Sequence, residues 1–127
     1  MSIDLWFEAD ERLTEEGLVS LLLEAGGAQF ELENGPVGFS FASGMSAHPL
    51  GPEGATHIKA EDPRGASFRV GSRCVFRPNS EQYDASLEEL QKVLLRVEGK
   101  KGAYFVVSFQ LESTLFINVG KGVERCS

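Results

Sequence analysis

Six carboxylates and one tryptophan near the start of the chain carry the spacing most suggestive of chemistry. Asp4, Trp6, Glu8 and Asp10 recur at every second position with Glu11 directly after them, and Glu31 and Glu33 repeat the interval. Period two is the spacing of a strand, on which alternate side chains share one face. Paired carboxylates on a face can serve as acid and base only where burial drives their pKa values apart. Leu5, Phe7, Phe30 and Leu32 occupy the intervening positions and should claim the core, so the carboxylates are expected in water. Trp6 lies among them, and an aromatic ring surrounded by charge has the make-up of an interface anchor. Burial of that ring beneath a neighbouring loop is the competing reading.

Other reactive residue types are scattered. His48, His57, Cys74 and Cys126 would suffice numerically for zinc but lack the short paired spacings of zinc sites, so no metal and no cofactor are expected. Gly44-Met45-Ser46-Ala47-His48 brings a serine near a histidine without the G-x-S-x-G spacing of a nucleophile elbow. Neither the P-loop pattern nor a dinucleotide-binding glycine pattern occurs, and Lys100-Lys101 and Gly120-Lys121-Gly122 read as turns. Arg69, Arg73 and Arg77 share one parity; on an acidic chain they are expected to pair with carboxylates or face water rather than bind nucleic acid. The expectation is a protein without catalytic residues.

The net charge of −7 is unevenly distributed. Residues 1–62 carry twelve carboxylates against Arg12 and Lys59, a balance of −10, while residues 63–127 stand at +3. Such asymmetry can steer a basic partner and disfavours nucleic acid or anionic membrane as targets, although acidic surfaces also serve solubility alone. No apolar run approaches the roughly 20 residues of a membrane span. The first residues show no charged and apolar export pattern, so the cytoplasm is the expected location. With that location Cys74 and Cys126 are expected as thiols.

The elements that must position these groups can be read along 127 residues, treated as a single domain. Residues 3–8 read as a strand. Thr14 can cap a helix carrying Leu18, Leu21, Leu22 and Ala25, ended by Gly26-Gly27. Two strands follow around an Asn34-Gly35 turn, the second with Val37, Phe39 and Phe41 on one face. Residues 43–65, rich in Gly and Pro, should be an irregular connection with at most a short strand near His57 to Ala60. A strand with an arginine face, bent or turned at Gly71-Ser72, comes next. Ser86 and Glu89 suggest a capping box for a helix with Leu87, Leu90, Leu94 and Val97 buried and Gly99 as its end. Ala103 to Leu111 then reads as a central strand and Thr114 to Val119 as its hairpin partner.

The expected fold is therefore α+β: two βαββ units, at about 3–42 and 66–119, forming a largely antiparallel sheet, open or half-barrel, with both helices on one side. This doubled order resembles the gyrase-inhibitor-like effector-binding domains, and that resemblance implies a cup for a small cationic ligand with a central glutamate. It is more loosely similar to the vicinal oxygen chelate modules, whose strands supply His and Glu to a metal; here only His57 offers such a ligand. In size, acidity and α+β make-up the chain also resembles the immunity proteins that bacteria pair with toxins. That resemblance implies a non-enzymatic inhibitor that occludes the basic active-site cleft of a toxin domain with an acidic surface. Asp4, Trp6, Glu8, Asp10, Glu11, Glu31 and Glu33 are the expected contact set, and the small cationic ligand is the alternative.

Overall fold

Alternating apolar residues need a partner layer, and in this chain two helices supply it. The computed structural model describes residues 3–31, 33, 37–50 and 56–126. Strand β1 (Leu5–Asp10) leads to helix α1 (Glu15–Glu24), then to β2 (Ala28–Glu31), β3 (Val37–Ser40), β4 (Ser46–Leu50) and β5 (Val70–Arg77). A single 3-10 turn (Ser80–Gln82) opens helix α2 (Tyr83–Lys101), followed by β6 (Phe105–Phe109), β7 (Ser113–Asn118) and β8 (Glu124–Arg125). The strands form one open sheet in the order β2-β3-β4-β5-β1-β6-β7-β8, antiparallel at every pairing. The α+β expectation holds.

Leu5, Phe7 and Ala9 of β1 point into the main core together with Cys74 and Phe76 of β5 and Phe105 and Val107 of β6. Leu18, Leu21 and Leu22 of α1 and Leu87, Leu90, Val93, Leu94 and Val97 of α2 close over them. Both helices thus lie on one side of the sheet, each burying a stripe at helical spacing. Thr14 caps α1 by accepting a hydrogen bond of 3.0 Å from the Gly17 amide, and Gly26 ends it at a φ of 101°.

The second helix starts and stops elsewhere than its capping box and Gly99 predict. It begins at Tyr83, so Ser86 is a buried helical residue rather than a cap. Its hydroxyl accepts the Asn79 amide at 3.1 Å and meets the Ser43 hydroxyl at 2.8 Å, while Glu89 accepts both the amide and the hydroxyl of Ser43. The S-x-x-E pair thereby fastens α2 to the turn between β3 and β4. Gly99 remains helical, and the helix ends at Gly102, whose φ of 60° suits the left-handed cap.

The connection expected to be irregular contains β4, which pairs with both β3 and β5. Pro49 is tolerated there because the pairing with β3 involves only Ser46 and Ala47, which leaves the missing N–H of Pro49 no ladder to interrupt. At Gly71-Ser72 the chain makes no hairpin; β5 runs on, with a register irregularity opposite Ala9 and Asp10. The Asn34-Gly35 turn lies outside the described residues.

The element order β-α-β-β-β occurs twice, but the strand placement does not repeat. After α1 the chain goes to the outer edge and walks inward from β2 to β4; after α2 it enters beside β1 and walks outward from β6 to β8. Residues 56–69 cross the face of the sheet opposite the helices as a strap. A second, smaller core lies beneath it, with Ala60, Val106 and Ile117 buried and Ile58, Ala66, Phe68, Val119 and Cys126 packed around them. The strap is hydrogen-bonded to the β6–β7 turn from the Glu61 and Asp62 amides to the Leu111 and Glu112 carbonyls, at 2.8 and 3.2 Å.

Candidate docking face

Antiparallel register decides the fate of the expected contact residues. Because Glu8 pairs with Arg73 and Leu5 with Phe76, Glu8 and the arginines of β5 share the outer face. Arg77 donates to Asp4 at 2.9 Å and Arg73 to Glu8 at 2.9 Å, while Arg69 lies 3.6 Å from Glu11. The charge asymmetry along the sequence is therefore, across this pair of strands, a ladder of neutralising contacts.

The rungs differ in weight. Glu8 is fully buried and its Arg73 side chain is 10 % exposed, whereas Arg69 and Glu11 stand in water and contribute little. The Glu8 carboxylate also accepts the Lys59 and Ala60 amides at 2.8 and 3.1 Å, and Arg73 donates to the His57 carbonyl at 2.6 Å. Every contact runs to the strap or to its neighbour beneath it. Glu8 is thus not the exposed contact predicted from alternation: the strap supplies the second face of β1 with a cover that period two alone does not reveal.

Asp10 is likewise buried rather than presented to a partner. It accepts the Arg12 amide and Nε at 2.9 Å each and the Tyr104 amide at 3.1 Å, and the Arg12 guanidinium lies 4.3 Å over the Tyr104 ring. Burial opposes the charge on Asp10, but the hydrogen bonds from Arg12 and from the two backbone amides outweigh it and hold the carboxyl below its ordinary pKa. Asp10 organises the turn from β1 into α1.

Trp6, Glu31 and Glu33 keep surface of their own, as do the paired Asp4 and Glu11. Trp6 is half-buried on the outer face, between Val75 of β5 and Ser108 of β6. Glu31 and Glu33 are exposed. The two sides of β2 are nevertheless the reverse of the prediction. Gln29 pairs with Phe39, a core residue under the helices, so Gln29 and Glu31 point to the helix side and stay wet because β2 is the edge of the sheet. Phe30 points to the outer face.

Phe30 and His48 are the members of this face that the sequence places elsewhere: alternation puts Phe30 in the core, and the Gly- and Pro-rich composition of 43–65 puts His48 in a loop. The Phe30 ring lies over Gly38, where an added Cβ would come within 2.5 Å of it, and meets His48 edge-on with centroids 6.1 Å apart. His48 pairs in register with Val75, which pairs with Trp6, so the outer face carries Phe30, His48, Val75 and Trp6 in a row from the β2 edge to the sheet centre. Ser46 bonds the His48 Nε2 at 2.9 Å. Burial, then the nearby Arg77, push the His48 pKa below its ordinary value, with Asp4 opposing. Gly38 opposite an aromatic was the available signal, since a strand glycine marks a close approach.

On the opposite side an open groove of about 620 Å³ runs between α1 and the end of α2; Lys100, paired with Glu24 at 2.8 Å, and Lys101 line it with Glu16. Cys74 is a free thiol in the main core, its pKa raised by burial, and Cys126 is a free thiol beside the strap. Among the described residues, no helix is long and apolar enough to cross a membrane. No protein-family model, no curated protein and no solved structure matches the chain.

Proposed function

We propose that this chain is a non-enzymatic protein-binding module of the immunity or inhibitor type, which neutralises a basic bacterial toxin domain by covering it. The supporting observation is the half-exposed row Phe30, His48 and Trp6 on the outer face of the sheet. Between Arg12 and Lys59, a stretch that includes α1 and β2 to β4, the sequence has no lysine or arginine. The outer-face rings supply buried area, and the exposed Glu31, which points to the helix side at the β2 edge, and Glu33 supply orientation and encounter rate to a cationic protein surface that wraps that edge. The docking set is accordingly Trp6, Phe30, His48, Glu31 and Glu33, with Asp4 at the margin.

A small cationic ligand would need a buried carboxylate free to meet it. Glu8 already holds Arg73 and two amides, which favours docking at the surface over capture within the fold.

Co-expression with the product of the adjacent gene tests the proposal: growth should be rescued from that product's toxicity and the two proteins should co-purify. Replacing Trp6 and Phe30 together by Ala should abolish both while the far-ultraviolet circular dichroism is unchanged. Unchanged rescue by the folded double variant would place the partner elsewhere, and a harmless, non-binding neighbour would remove the immunity assignment.

A further inference from the structure

We infer that the free edge of β2 is a strand-acceptor site for an extended, cationic segment of the partner, an inference that rests on the docking reading above. Strand β2 (Ala28–Glu31) ends the sheet and, among the described residues, pairs only with β3, so its other side offers backbone donors and acceptors to an added strand. Ala28, Gln29 and Glu31 are exposed and Phe30 is half-exposed, which leaves this edge uncovered. The opposite edge, β8, has two residues, of which one is Arg125.

Charge decides what kind of strand fits. No lysine or arginine stands on β2, β3 or β4, and Glu31 with the exposed Glu33 just beyond it makes the edge anionic. An added strand must match the alternation of β2. Side chains opposite Gln29 and Glu31 would point to the helix side, and those opposite Phe30 to the outer face. A segment alternating Arg or Lys with a β-branched or aromatic residue meets both demands: a cation lies across from Glu31, and an apolar side chain extends the row that begins at Phe30. Main-chain pairing would provide register, and the alternation specificity.

The probe is a capped hexapeptide of alternating Arg and Val, added to the full chain and followed by amide chemical shifts and hydrogen exchange. Three controls accompany it: a peptide of the same composition with its Arg and Val in blocks, the alternating peptide N-methylated at every second residue, and the Glu31→Lys/Glu33→Lys double variant. The expected result is slowed exchange confined to amides of residues 27–31 and binding weakened about tenfold or more by the blocked order, by one of the two N-methylated registers and by the double charge reversal. Equal binding of both N-methylated peptides, protection elsewhere, or no binding at millimolar peptide would overturn the acceptor site. If a toxin is neutralised with a footprint on Trp6 and His48 that omits the β2 edge, the acceptor inference fails alone. If the peptide pairs with β2 but no toxin is neutralised, the acceptor stands and the immunity reading falls.

Discussion

The carboxylate of Glu8 and the guanidinium of Arg73 meet at 2.9 Å beneath the strap, and the same carboxylate accepts the strap's Lys59 and Ala60 amides. One buried anion therefore joins two central strands to the covering segment. Removing one member leaves the other charged without a partner in a dry site, at a cost of about 3–5 kcal/mol. Glu8→Ala and Arg73→Ala should each lower the unfolding free energy by that order in urea titrations. A Glu8→Leu/Arg73→Met variant should lose much less than the sum of the single changes, because neither charge is then stranded. Strict additivity would show that the two groups do not act together.

Trypsin reports the strap separately from the sheet. Lys59 and Arg64 lie on the strap, exposed at the side chain but with neighbouring amides held. Glu8→Gln preserves shape and weakens two amide contacts and the ion pair, so cleavage after Lys59 and Arg64 should quicken about tenfold or more while hydrogen exchange in β1 and β6 changes little. Equally slow cleavage in wild type and variant would mean that Glu8 does not hold the strap.

Two groups give the fold opposite reasons to respond to acid. Asp10 has its folded pKa below the ordinary 3.8, so its stabilisation is full above that value and is lost as pH falls through the lowered one. His48 has its folded pKa below 6.5, so the unfolded chain takes up the proton first and stability declines as pH falls from about 6.5 toward the lowered value. Thermal melts should show a shallow loss beginning below pH 6.5 that His48→Gln removes, and a steeper loss below pH 4 that Asp10→Asn flattens. A His48→Gln melt profile parallel to the wild type would contradict the first assignment.

The contact between Phe30 and Gly38 offers a test of the aromatic row that leaves the core intact. Gly38→Ala places a methyl 2.5 Å from the Phe30 ring, which can swing away because β2 is an edge strand. The change should cost less than about 1 kcal/mol, since displaced surface aromatics create no core cavity. It should nevertheless raise the His48 pKa toward 6.5 in an NMR titration as the ring that shields it departs, and an unmoved His48 would refute the packing.

Thiol reagents should separate the cysteines. Cys74 is fully buried and its thiol resists ionisation, whereas Cys126 is half-exposed. Under native conditions Cys126 should react first, with Cys74 modified only as fast as the chain opens. Comparable native rates at both sites would contradict the burial of Cys74.

Local signals fixed the parts of this protein that depend on near neighbours. Thr14 with Gly26 set α1, the stripe Leu87, Leu90, Leu94 and Val97 set α2, and Leu5 and Phe7 marked the core side of β1, because a helix cap and an alternating strand are decided within a few residues. Which carboxylates stay in water was not legible in that way. Glu8 and Glu31 carry the same charge and the same strand spacing. Glu8 lies at the sheet centre under a strap from fifty residues later and is buried with Arg73, while Glu31 lies at an edge and remains exposed. Strand order and the path of residues 56–69 make that difference. Both arise from long-range pairing, whose free energy no local stretch of sequence contains.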